Sequence, residues 1–281
     1  MELTKPPGLS DVGLGGAVVI VTGAGSGIGA AAARQLGAVG ANVVLVGRRK
    51  DALEQVAAEL GSGRAPSGQA QSGQAPSGQA QSGQALCVPA DLADPDSPAR
   101  ITGACLERFG RIDGLVNNAA VVRHMPLGEW DVAGFDEHVA TNIRAPFFLI
   151  QAALPALRES PVRSVVNISS SSGILQRVGQ SVYGMTKSAL NYLTKTLAGE
   201  LAPIGVRINC IAPGPIDTPI HATWADDLDE AYKWLNSQVP LGRIGAPQEV
   251  AVWITLLLSP LAAFMTGAVI PLDGGQVIDR E

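Results

Sequence analysis

Tyr183 and Lys187 stand four residues apart in SVYGMTKSALNYLTKTLAGELA (181–202), a stretch that predicts one long helix. That spacing puts both side chains on one helix face. A phenol ordinarily loses its proton near pH ~10. An ammonium one turn away favours the phenolate and lowers that value. A shift of about three units corresponds to roughly 4 kcal/mol, and Tyr183 could then exchange a proton with a carbonyl or alcohol oxygen near neutral pH. Upstream, NISSSSG (167–173) sets four serines after an apolar, β-like run. One of them can serve the same oxygen, and the local sequence alone leaves open which.

A second constellation lies near the N-terminus. VIVTGAGSGIGAAAA spaces Gly23, Gly27 and Gly29 as G-x-x-x-G-x-G between a buried-type strand and an Ala-rich helix. A pyrophosphate must approach the backbone closely there and meet the N–H groups of a helix N-terminus. A Cβ at those points would hold it away. The loop, with Ser26 and Ile28 between its glycines, therefore reads as a dinucleotide cradle. The next strand ends LVGRRK, with Gly47 where an NAD enzyme usually carries an acid for the ribose hydroxyl. Arg48 and Arg49 follow, and a guanidinium pairs with the 2′-phosphate of NADP. The expected cofactor is NADP, with NADPH preferred over NADH rather than NADH excluded.

These residues need a scaffold. Short β-branched runs at 17–23, 41–47, 85–91, 112–120, 164–169, 206–214 and 268–274 alternate with helical patterns at 29–40, 50–60, 97–110, about 131–158 and 181–202. Strict β-α-β alternation with short links predicts an α/β fold, a doubly wound parallel seven-stranded sheet with helices on both faces. One domain spanning 1–281 is expected. Residues 65–84 break the pattern as two copies of APSGQAQSGQ, too polar to bury a core. They read as a mobile surface insertion without a role in the site.

Composition narrows the function. A net charge of −5 gives no reason to bind nucleic acid or an anionic membrane. Three scattered cysteines and three scattered histidines point to a reducing compartment and to no metal site. The uncharged stretch 251–272 is long enough to cross a bilayer, but Ser259-Pro260, Thr266-Gly267 and Pro271 divide it into helix, turn and strand. With no signal peptide read at the N-terminus, a soluble cytoplasmic protein is expected.

Taken together, TGAGSGIG (22–29), NNAA (117–120), TNI (141–143), SSSSG (169–173), YGMTK (183–187) and PGPIDT (213–218) resemble the short-chain dehydrogenase/reductase family in order and spacing. The likeness extends to its 3-oxoacyl-carrier-protein reductase-like members and covers nearly the whole chain outside the repeat. It implies a reversible NADPH-dependent carbonyl reductase with Tyr183 as general acid/base. It also resolves the serine: the family's catalytic serine lies thirteen residues before its tyrosine and three before a glycine, which is Ser170. The resemblance gives Asn142 a water-holding place in a proton relay to Lys187. It gives Asp91 and Leu92 to adenine, and Asn118 and Ala119 to the ribose. Pro213, Gly214, Ile216 and Thr218 fall to the nicotinamide end. Two departures stand out. Ala120 replaces the family's usual glycine, and Ser26 sits where many NADP-preferring relatives carry a second base. The family also implies a homotetramer, or next a dimer, built on the two longest helices.

The substrate is a small molecule, and its identity belongs to the loops VVRHMPLGEW (121–130) and ILQRVGQ (174–180) and to a lid over about 217–245. Ser172, Ile174 and Trp224 are the candidate substrate contacts. The lid carries Trp224, Tyr232 and Trp234 in a chain with 4% aromatics. They either pack the lid onto the body or form a flat apolar wall for a cyclic or polyketide-like compound of secondary metabolism. The same set can reduce a C=N bond, so ketone, imine, sugar and acyl-thioester substrates stay open. A relative that kept the fold and became a silent regulator is the other alternative.

Overall fold

A computed structural model describes residues 12–61, 83–223, 225 and 227–277. Most of the 65–84 repeat, Trp224 and both chain ends lie outside these residues. Among those described, seven strands form one sheet in the order β3-β2-β1-β4-β5-β6-β7, every pair parallel. They are β1 (Val18–Thr22), β2 (Asn42–Gly47), β3 (Ala85–Pro89), β4 (Gly114–Asn117), β5 (Ser164–Ile168), β6 (Arg207–Pro213) and β7 (Val269–Leu272). Strand β4 is shorter than its apolar run predicts, because the chain leaves the sheet at Asn118. The order reverses between β1 and β4, and the crevice at such a switch point is where open α/β sheets take ligands.

Both faces of the sheet are covered, and β1 and β2 accordingly read as near-continuous apolar runs. Alternate residues serve opposite layers. Val19 and Val21 pack with α1 (Gly27–Ala38), α2 (Lys50–Gly61) and α8 (Pro247–Leu258), whereas Val18 and Ile20 pack with α3 (Ser97–Phe109), α5 (Ala145–Glu159) and α6 (Ser181–Leu201). Stretch 251–272 resolves into the end of α8, a 3₁₀ turn at Pro260–Ala262 and β7, and no helix of the described residues is long and apolar enough to cross a membrane.

The predicted helix over 131–158 is interrupted. Helix α4 (Val132–Val139) runs into a π segment, Ala140–Arg144, before α5 begins. Ala145 N–H donates to Ala140 O, a reach of five residues. Pro146 supplies a cause: without an N–H it cannot donate to the Asn142 carbonyl as a regular α-helix requires. A further helix unread in the sequence, α7 (Leu228–Ser237), lies within the lid and starts at Asp227, whose side chain caps the N–H of Glu230.

Candidate active site

The glycine loop is folded for close approach. Gly23 and Gly27 hold positive φ angles of 67° and 53°, a region that L side chains avoid. At Gly29 an added Cβ would lie 2.2 Å from Gly23 O and 2.6 Å from Asn118 Nδ2. Asn118 braces the loop by donating from Nδ2 to Thr22 O at 2.9 Å, while its N–H and that of Ala119 donate to Thr22 Oγ1. Ser26 caps α1 in extended geometry with no side-chain hydrogen bond to the helix. The bare N-terminus of α1 and the glycines of the cradle fit a pyrophosphate.

One cleft gathers nearly all the predicted cofactor residues. Its lining includes Gly23, Ser26, Gly27 and Ile28 of the loop, then Arg48, Arg49, Asp91 and Leu92 at one end. Asn118, Ala119, Pro213, Gly214, Ile216 and Thr218 line it as well. Gly29 is not in the lining; it sits where the loop closes on Gly23 and Asn118. Arg48 and Arg49 are exposed. Asp91 is committed to a turn, its Oδ1 accepting from Ala93 N–H at 2.9 Å.

The chemistry-bearing side chains meet in the same cleft. Ser170 ends the run that leaves β5. Its Oγ accepts the Ser172 N–H at 3.1 Å, and its side chain hydrogen-bonds the phenol of half-buried Tyr183. The other serines are otherwise engaged. Ser169 Oγ donates to Lys187 O, Ser171 Oγ to Gln276 Oε1 and Ser172 Oγ to Gln180 Oε1. Lys187 is 2% exposed; its Nζ donates to Ile168 O at 2.8 Å and lies 5.6 Å from the Tyr183 ring centre.

The electrostatics differ from the sequence expectation. Burial pushes the Tyr183 phenol up to about 12, and the Ser170 hydrogen bond opposes this only in part. The ammonium that was to lower it is turned to the Ile168 carbonyl. Burial also pulls Lys187 down, to about 8. Near pH ~7 the resting pair is therefore a neutral phenol beside an ammonium.

Asn142 stands behind the cleft wall rather than in it. Its Oδ1 accepts Val121 N–H at 2.9 Å, and its Nδ2 donates to Val121 O and to Thr186 Oγ1. The side chain ties the π segment to the strand-four loop and to α6. Of the substrate candidates, Ser172 lines the cleft. Ile174 does not: the 3₁₀ turn at Ser171–Gly173 carries it to a neighbouring depression, 40% exposed. Trp224 lies outside the described residues. The two remaining lid aromatics divide the sequence alternatives between them. Tyr232 packs the lid internally, donating to Asp217 Oδ1 at 2.6 Å and meeting His221 edge-on, whereas Trp234 lines the cleft. His124, Arg177, Gln180, Leu235 and Gln276 also line it. The sequence singles out the two loops and the lid that carry the first four, but not these residues themselves.

A glycine-rich dinucleotide loop at the switch point, opening onto a serine-hydrogen-bonded tyrosine and a buried lysine, defines a nicotinamide-dependent oxidoreductase of the doubly wound class. The comparisons agree. The family model described as Enoyl-(Acyl carrier protein) reductase matches residues 23–276. The chain is 34% identical over 262 residues to 2,5-dichloro-2,5-cyclohexadiene-1,4-diol dehydrogenase LinX of Sphingobium indicum, covering 93% of this chain and 96% of that one. It is 34% identical over 269 residues to 3-oxoacyl-[acyl-carrier-protein] reductase FabG of Aquifex aeolicus, covering 95% and 99%. A crystal structure of a short-chain type dehydrogenase/reductase from Mycobacterium marinum superposes with a TM-score of 0.84 at 29% identity, over 96% of this chain and 99% of that one. The chain belongs to the short-chain dehydrogenase/reductase family, whose members use NAD(P).

Proposed function

We propose that this protein is an NADPH-dependent reductase that delivers a proton from Tyr183 to the oxygen of a small carbonyl substrate. The observation that carries the reading is the Ser170–Tyr183–Lys187 arrangement with its ionisation. A phenol held near 12 is a donor at every working pH, and the Lys187 ammonium stabilises the phenolate as the proton leaves. Ser170 holds the substrate oxygen beside the phenol. Asn142 fixes the π segment against Val121 and Thr186, and so fixes the helix that carries the pair. When bound, the nicotinamide supplies the hydride. The relatives include a dehydrogenase and a reductase, so direction rests on the acid form of Tyr183. Following NADPH absorbance with purified protein and a panel of ketones and cyclic imines tests the reading. No turnover of any member would favour the silent-regulator alternative.

Arg48 and Arg49 favour NADP over NAD. Both line the cleft and make no ion pair among the described residues. A charge-assisted pair with the 2′-phosphate contributes about 1.5–3 kcal/mol, roughly ten- to a hundredfold in affinity. Fluorescence titration should show NADPH binding tighter than NADH by that order, and Arg48→Ala should erode the gap. Equal or tighter NADH binding by the wild type would remove the NADP assignment and leave the family assignment standing.

A homotetramer, with a dimer next, fits the surface of α5 and α6. Phe147, Phe148, Met185 and Tyr192 on these helices are 39%, 45%, 45% and 73% exposed, apolar area of the kind an isologous interface covers. Light scattering at micromolar concentration should give four or two chains, and a monomer would contradict it. The expected compartment is the cytoplasm, which fractionation of expressing cells would test.

A further inference from the structure

The proposed reaction leaves one charged side chain of the cleft without a task. Arg177 lies in the loop after β5 and lines the same cleft as Ser170, Ser172 and Tyr183. It is half-buried. The other half-buried arginines are all occupied. Arg34 pairs with Glu59, and Arg144 donates to Ala93 O. Arg163 donates to Ser160 O, and Arg207 to Leu257, Leu258 and Ser259 carbonyls. The Arg177 guanidinium has no hydrogen bond or ion pair among the described residues, and burial alone perturbs it. A guanidinium withdrawn from water without an acceptor is costly, and a ligand oxyanion would offset that cost.

The surroundings define the ligand. The acids that line the cleft are engaged elsewhere: Asp91 with Ala93 N–H, Glu137 with Arg123. Gln180 is held between Ser172 Oγ at 2.6 Å and His124 Nε2 at 2.9 Å. His124 is kept below its ordinary range by burial and by the charge of Arg177, so it adds no second cation near neutral pH. The Lys187 ammonium of the same cleft is turned to the Ile168 carbonyl. The one guanidinium left free beside Ser172 and Gln180 among the described residues matches a monoanion better than a phosphate dianion, its planar fork suiting a carboxylate. Trp234 and Leu235 add an apolar wall.

We propose that Arg177 anchors a carboxylate on the substrate, so that the compound reduced is an oxo acid with an apolar skeleton. This rests on the reductase reading for the reaction but not for the binding. The test uses the full chain with saturating NADP⁺, titrated by calorimetry with cyclohexanecarboxylate and with cyclohexanecarboxamide. The acid should bind about ten- to a hundredfold tighter. Arg177→Met should bring that ratio to about one, and Arg177→Lys should keep part of it. A wild-type ratio near one, no acid binding at millimolar concentration, or a ratio unchanged in folded Arg177→Met each overturns the proposal. Turnover with NADPH of cyclohexanone bearing a para carboxylate, against its methyl ester, separates the two readings. Turnover of both without preference for the acid removes the anion site and keeps the reductase. Arg177-dependent acid binding with no turnover of any carbonyl keeps the site and removes the reductase.

Discussion

Tyr183→Phe is expected to lower turnover by about a hundred- to ten-thousandfold, the usual contribution of a positioned proton donor. The change deletes one oxygen. The ring stays where it is, half-buried on α6 with Lys187 Nζ 5.6 Å from its centre. The lost hydrogen bond to Ser170 costs the fold about 0.5–1.5 kcal/mol, so the melting temperature should move by only a few degrees. NADPH affinity should stay within a fewfold of wild type, because the glycine loop and the arginines are untouched. The loss should therefore appear in kcat. Near wild-type kcat in the purified variant would show that the proton comes from elsewhere.

The same assay read against pH tests the pairing with Lys187. That group is displaced downward to about 8, so its charge is present below this value and lost as pH rises through it. The phenol is displaced upward to about 12 and stays protonated across the range. Reduction should thus fall on the alkaline side of about pH 8, when the phenolate forming on Tyr183 loses its neighbouring cation. A reductase rate flat to pH ~10 would detach Lys187 from the chemistry.

How far the sequence carried this picture depends on the kind of residue. Strands β1 and β2 are visible because their buried runs are nearly all apolar, whereas β5 keeps its valines between buried Ser164 and Asn167 and is the weaker signal. The cradle is visible because only glycine meets its geometric demand. The π segment was not visible to hydrophobic periodicity, which passes smoothly over it. Its signal was Pro146, four residues after Asn142, where a carbonyl must lose its helical partner. Ile174 was placed in the substrate loop 174–180 on sequence, and the 3₁₀ turn at Ser171–Gly173, which apolar patterning does not signal, carries it to the neighbouring depression. Arg177 was hidden for a different reason: its importance lies in the partner it lacks, and that is a property of the fold around it.

Gly29→Ala should abolish high-affinity NADPH binding and lower the melting temperature by several degrees. The new methyl would lie 2.2 Å from Gly23 O, 2.7 Å from Gly23 C and 2.6 Å from Asn118 Nδ2. The first two are backbone atoms of the loop and cannot rotate away. Relief requires α1 to draw back from the loop or the loop to open. Either move breaks the Asn118 bonds to Thr22 and Gly23 and withdraws the N–H groups meant for the pyrophosphate. Overpacking of this kind costs about 1–3 kcal/mol. The control is the same substitution on another helix. Gly103 lies in α3, and a Cβ there would meet nothing within 4 Å. Alanine is the better helix former by about 1 kcal/mol, so Gly103→Ala should leave binding unchanged and raise the melting temperature slightly. The two variants share their chemistry and their helical setting, and differ only in what the methyl meets. If Gly29→Ala bound NADPH and melted like Gly103→Ala, the close approach of helix, loop and Asn118 would not be what shapes the cofactor site.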